Sequence, residues 1–186
     1  MTDVHKTAIV SNCEIGSGVF IGAGCLVGEP AENRDTWPET LFGVEIQDGA
    51  ILAKLVTVDA GTIQKTVIGK RTMLMAHSHI GHDAIIGDDV TIACGAKIGG
   101  FVEIGKGANI GLNAVIHPRV KIAPFAMIGA GAVVTKTADV KPFGIWAGNP
   151  AKFLKFNQRA VEKFGLTPEQ VTKIQEDWLN LQKEKI

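Results

Sequence analysis

Residues 68–140 read, in units of six, IGKRTM, LMAHSH, IGHDAI, IGDDVT, IACGAK, IGGFVE, IGKGAN, IGLNAV, IHPRVK, IAPFAM, IGAGAV, VTKTAD and a final V. Each unit opens on an aliphatic residue, from Ile68, Leu74 and Ile80 through to Val134 and Val140, without a break. A period of six fits neither an α-helix, which repeats near 3.6, nor an alternating strand, which repeats near 2. It fits an all-β solenoid in which each unit is a short strand plus a turn stacked on the coil beneath. Glycine often follows the aliphatic, as at Gly69, Gly81, Gly87, Gly99, Gly105, Gly111 and Gly129. The fourth position after it stays small or slim, from Thr72, Ser78 and Ala84 to Ala132 and Ala138, which suits a corner too tight for larger side chains. The same phase runs upstream at Ile9, Ile15, Ile21 and Val27, then at Ile46, Leu52 and Val58. Two insertions interrupt it, one over Gly28 to Phe42 and a shorter one near Thr62 to Thr66. Both should fold onto the outside of the coil, where binding sites form.

The sequence divides into a solenoid over 1–149, with an external loop at about 28–43, and a C-terminal helical extension over 150–186. In that extension, Ala151 to Phe164 shows short helical periodicity and closes at Gly165, a helix-ending residue type. Thr167-Pro168-Glu169-Gln170 reads as a capping box with proline at the first helical position. Val171, Ile174, Trp178 and Leu181 then share one face and should dock on the solenoid or a neighbouring subunit.

With 19 basic and 19 acidic residues among 186, the chain has no basic footprint for nucleic acid. No apolar run approaches the roughly 18 residues of a membrane span, and no signal segment opens the chain, so a cytoplasmic location is expected. Cys13, Cys25 and Cys94 lack clustered spacing and are expected to be ordinary buried thiols.

Chemistry concentrates in one place. His77, His79 and His82 crowd into two adjoining units, and Asp83 follows at once. His82, two places after Ile80, should project outward within reach of a substrate. A neutral imidazole accepts a proton from a hydroxyl near neutral pH. A carboxylate beside it favours one tautomer and stabilises the imidazolium, although Asp83 could equally serve a neighbouring coil.

This repeat resembles the left-handed parallel β-helix of the hexapeptide-repeat acyltransferases, where three units make one triangular coil; the left hand is what the resemblance implies. Leu74-Met75-Ala76 through His79-Ile80-Gly81-His82-Asp83 is similar to the catalytic segment of the bacterial UDP-N-acetylglucosamine O-acyltransferases of lipid A synthesis. The likeness extends to Val27-Gly28-Glu29, Val44-Glu45-Ile46, Leu55-Val56-Thr57-Val58 and Gly61-Thr62 in the coil before that segment, Gly148-Asn149 and Lys163-Phe164-Gly165-Leu166. It implies His82 as general base with Asp83 beside it, and the Gly100 N–H as donor to the oxyanion. It further implies His79, Asp35, Asn157, Arg159 and Lys163 as substrate contacts. Phe101 stands where that family often has a second histidine, and His117-Pro118 stands where it has His-Gln. With Lys152, these mark the acyl-donor side. Ala147-Gly148-Asn149-Pro150-Ala151-Lys152 resembles instead the coil-ending segment of coenzyme A-dependent acetyltransferases. The implied co-substrate is therefore an acyl carrier protein or coenzyme A thioester, with no bound cofactor, a nucleotide sugar as acceptor and a homotrimer as the assembly.

Two rival readings remain at the level of sequence. A γ-class carbonic anhydrase shares the solenoid, and His77 and His82 have the separation of two of its zinc ligands. However, the third ligand position falls on Leu41, and His117 is one residue out of phase. No metal site is expected. A non-catalytic scaffold is the other reading, against which the histidine cluster argues.

Overall fold

The computed structural model describes residues 2–32, 34–35, 37–39 and 42–183, apart from the side chain of residue 182. It is a parallel β-solenoid of about eight turns with two C-terminal helices. Among the described residues the strands form three sheets, of nine, seven and six strands, one for each side of the coil. Successive coils pair 18 residues apart, as in Ile80 with Ile98, Ile98 with Ile116 and Ile116 with Val134. Three units per coil is therefore the observed geometry.

The unit pattern follows from packing. The opening aliphatics point inward and are wholly buried, Ile68, Leu74, Ile80, Ile92 and Ile98 among them. The small fourth slots, such as Ala84, Ala96, Ala114 and Ala132, are buried beside them. A Cβ at Gly81 would lie 2.8 Å from the backbone nitrogen of Gly100 in the next coil, so glycine there lets the coils close up. The repeat alone did not reveal a further rule. From Arg71 to Gly131, the third residue after every aliphatic has positive φ, including Asp83, Phe101 and Arg119.

Both insertions leave from the seven-stranded sheet and return to the six-stranded one. One lies between strands Leu26–Glu29 and Val44–Ile46, the other between Thr57–Asp59 and Thr66–Ile68. They occupy one corner and touch there through an antiparallel bridge between Phe42 and Gly61. The turn between His79–Ile80 and Ile85–Ile86, which carries His82, stacks on that same corner in the next coil.

The tail corrects one expectation. Residues 152–156 are not helical: Lys152–Phe156 turns back as an antiparallel strand against Gly144–Ala147. Alternating bulky residues at the open sheet edge win over the short helical periodicity. Helix α1 spans Gln158–Phe164, with Asn157 as its N-cap and Gly165 ending it in the left-handed conformation. Helix α2 spans Pro168–Lys183. Its capping box forms in both directions: the Thr167 N–H donates to Gln170 Oε1 (2.8 Å), and the Gln170 N–H donates to Thr167 Oγ1 (3.3 Å). Val161, Phe164, Val171 and Ile174 pack on Phe125 and Phe143 at another corner. Among the described residues no helix is long and apolar enough to cross a membrane.

Candidate active site

His82 sits at the corner with its side chain about 20% exposed, and the carboxylate of Asp83 beside it is fully buried. The adjacent pair does bond directly, His82 Nδ1 lying 2.6 Å from Asp83 Oδ2. That carboxylate also accepts from the Thr62 hydroxyl at 2.6 Å and from the backbone N–H groups of Thr62, Ile63 and Gln64. Burial alone would raise its pKa. The hydrogen bonds from Thr62, His82, Ile63 and Gln64 outweigh burial and hold the carboxyl below its usual range. An ionised carboxylate only accepts, so Nδ1 of His82 carries a proton, and in the neutral ring the lone pair is on Nε2.

The other side of the ring is shaped by the next coil. A Cβ at Gly100 would lie 2.8 Å from His82 Nε2 and 3.0 Å from Cε1, so glycine leaves the space the ring occupies. Among the described residues the Gly100 N–H meets no backbone acceptor. Phe101 meets the His82 ring edge-on, with centroids 5.1 Å apart. The Arg119 guanidinium lies 4.1 Å from the Phe101 centroid. Asp83, Phe101 and Arg119 thus form one column of left-handed turns.

His79 lies outward on the strand before, between Thr57 and Lys97 in register. Its Nδ1 is 2.8 Å from the Thr57 hydroxyl and its Nε2 is 3.8 Å from Asp59. Burial, then the charge of Lys97, lowers its pKa. Beside it is a cleft of about 460 Å³ lined by Glu29, Glu32, Trp37, Asp59, His79 and Lys97, among others. Burial and the neighbouring Glu32 push the Asp59 carboxyl up to about 6, while the nearby His82 pulls the other way. Glu32, Asp59 and Arg119 were not singled out from sequence, and Thr62 was marked only as part of the resembling segment Gly61-Thr62, with no contact to Asp83 foreseen. For Arg119 the signal was present, because it follows Phe101 at the coil spacing of 18.

The remaining candidates divide. His117 and Pro118 are exposed on the Arg119 turn, where His117 Nδ1 lies 3.0 Å from the Pro118 carbonyl. Asp35 is exposed on the long insertion, and Lys152 on the returning strand. Asn157 is buried, donating to the Phe125 carbonyl (2.9 Å) and accepting from the Ala160 N–H (3.3 Å), so its amide caps α1. Arg159 and Lys163 are exposed on α1, with Lys163 over the Phe164 ring (5.0 Å). They belong to the Phe125–Phe143 corner and not to the corner of His82. His77 turns at the third corner, its carbonyl accepting from Lys97 Nζ at 2.7 Å. Leu41 lies outside the described residues. Among the described residues no three His, Cys, Asp or Glu side chains converge as a metal site.

Residues 65–100 match the family model described as bacterial transferase hexapeptide, six repeats. UDP-3-O-acylglucosamine N-acyltransferase of Methylococcus capsulatus is 31% identical over 85 residues, covering 42% of this chain and 24% of that protein. Acyl-[acyl-carrier-protein]–UDP-N-acetylglucosamine O-acyltransferase of Tolumonas auensis is 28% identical over 108 residues, covering 47% and 41%. The matched segments thus span less than half of either relative. The crystal structure of LpxA, a UDP-N-acetylglucosamine acyltransferase from Bacteroides fragilis, superposes with a TM-score of 0.85 at 24% identity, over 95% of this chain and 69% of that one. That likeness establishes the fold. In its repeat and its solenoid the chain is similar to the hexapeptide-repeat acyltransferases, whose repeat signature residues 65–100 carry.

Proposed function

We propose that the chain transfers an acyl group from a thioester, carried by an acyl carrier protein, to a hydroxyl of a UDP-N-acetylglucosamine-like nucleotide sugar. The observation that carries this reading is the 2.6 Å bond from His82 Nδ1 to a fully buried carboxylate, which leaves Nε2 bare beside Gly100. His82 Nε2 takes the proton of the acceptor hydroxyl as its oxygen attacks the thioester carbonyl. The resulting oxyanion accepts from the Gly100 N–H. Collapse expels the thiolate, which recovers the proton from the imidazolium, and Asp83 stabilises the charged ring in between. Transfer is direct, with no covalent enzyme intermediate.

His79 and Asp35 contact the acceptor, while Phe101, His117, Pro118 and Lys152 lie on the donor side. Arg159 and Lys163 reach the nucleotide from a neighbouring copy in a homotrimer, and Asn157 supports them by capping their helix. The separation of the His82 corner from the α1 corner within one chain supports that assembly. So do the exposed apolar residues Phe20 and Ile51 on the nine-stranded sheet, Leu26 and Val115 on the seven-stranded sheet, and Leu55 and Leu112 on the corner between them.

A second reading, acylation of a sugar amine from acetyl-coenzyme A or an acyl carrier protein, draws on Glu29, Glu32 and Asp59 in the cleft. Carboxylates there would attract an ammonium group. Thioester consumption decides between them, with acetyl-coenzyme A and hydroxyacyl carrier protein donors crossed against hydroxyl and amino UDP-sugars. In the productive pair His82→Ala should lower turnover by roughly 10²–10⁴-fold. Full activity of the folded variant would return the dyad to a structural role.

A further inference from the structure

Among the described residues, 62–65 of the short insertion make no backbone bond to a neighbouring coil, yet the segment closes around one residue. Asp83 Oδ1 accepts from the backbone N–H groups of Thr62 (3.0 Å), Ile63 (2.8 Å) and Gln64 (2.9 Å). Oδ2 accepts from the Thr62 hydroxyl and from His82 Nδ1, each at 2.6 Å. The Asp83 N–H donates to Thr66 Oγ1 (2.9 Å), and its carbonyl accepts from Gln64 Nε2 (2.9 Å). Every polar atom of Asp83 is therefore held by residues 62–66 or by His82. This occurs at a left-handed residue (φ 59°), a conformation that L-residues rarely adopt. A carboxylate oxygen offers two lone-pair directions in its plane. Thr62 meets Oδ2 twice, through its hydroxyl and through its N–H (3.1 Å), so Oδ2 cannot turn without breaking both, and the approach left to the ring is restricted.

We propose that Thr62 is a positioning residue for the general-base pair. Its hydroxyl fixes Asp83 Oδ2 so that His82 stays in the Nδ1–H tautomer and presents Nε2 to the acceptor. The proposal rests on the reading of His82 as general base. It also gives the short insertion a role, since the turns at Gly100–Phe101 and Pro118–Arg119 on the same corner have no such clasp among the described residues.

The test compares wild type, Thr62→Val, Thr62→Ser and His82→Ala by melting, steady-state kinetics and ¹⁵N NMR of histidine side chains, the His82 signals being assigned by their loss in His82→Ala. Wild type should show a single Nδ1–H tautomer at His82. Thr62→Val should lower kcat roughly 10-fold or more, the loss of one hydrogen bond to a charged group, with KM within about twofold. It should also show a mixture of tautomers, and Thr62→Ser should restore both readouts. An Nε2–H tautomer in wild type would overturn the proposal even if Thr62→Val did not fold. So would a folded Thr62→Val with unchanged kcat and tautomer, or a Thr62→Ser as impaired as Thr62→Val. Full activity of His82→Ala would remove the general-base reading, whereas a tautomer change in Thr62→Val would still uphold the clasp.

Discussion

Gly100→Ala adds a single carbon where the structure has none to spare. The new Cβ would stand 2.8 Å from His82 Nε2, against an ordinary contact distance of 3.4 Å or more, so the ring must retreat by ~0.6 Å. Its far edge is tied by the 2.6 Å bond to a carboxylate that cannot follow, since Thr62, Ile63 and Gln64 hold it. The ring therefore pivots and Nε2 leaves its place, while the Gly100 N–H is unchanged. A misplacement near 1 Å costs roughly 100-fold in rate, so turnover should fall about 10- to 100-fold. Gly100 carries no positive φ, so alanine's backbone is unstrained and the fold should survive, with a melting temperature lowered only by the cost of displacing the ring. Thioester-consumption kinetics beside a thermal melt reads both quantities. A stable Gly100→Ala with turnover within twofold of wild type would refute the claim that the ring position set by this contact governs the reaction.

Three further outcomes follow from named positions. Ile98→Asp places a carboxylate at a wholly buried inward slot and should cost several kcal/mol, abolishing the cooperative melt; wild-type-like melting would overturn the phase of the repeat. On its proposed role as an acceptor contact common to ground and transition states, His79→Ala should raise KM more than it lowers kcat; an equal fall in kcat and kcat/KM would assign it to the transition state instead. Asp59 has its folded pKa raised to about 6 from 3.8, so its charge destabilises the fold progressively above pH 4, and fully above pH 6. Asp59→Asn should therefore stabilise the protein by up to about 2–3 kcal/mol at pH 8 but little at pH 4, a difference that denaturant melts at the two pH values would detect.

The solenoid was readable because its signal is repeated. Thirteen aliphatics in one phase, from Ile68 to Val140, each restate the same burial, and no local ambiguity survives that redundancy. His82 and Asp83 were readable because they break the monotony of otherwise regular units. The helical reading of 152–156 failed for the converse reason: a five-residue strand at a sheet edge carries too few residues to show a period, and its pairing with Gly144–Ala147 is a tertiary fact. Gly61-Thr62 stood out only by resemblance, and the bond of the Thr62 hydroxyl to Asp83 was not legible because it is made 21 residues away, across a phase shift that the repeat registers only as an interruption. Arg119 was hidden by exposure: a surface arginine is unremarked until the coil spacing sets it over Phe101.

Because coils pair at a fixed interval of 18 residues, the solenoid works as a graduated scale on which position is counted in whole coils. Inserting one complete coil beyond Ile104 would push everything after it, α1 and its Arg159 and Lys163 included, one notch further from His82. The notch is the inter-strand spacing of about 4.8 Å, and every corner would keep its bearing. Inserting a single unit of six would instead rotate the rest by a third of a turn and deliver the helices to the wrong side. Distances between His82 and the far end of the molecule can therefore be lengthened only in quantised steps.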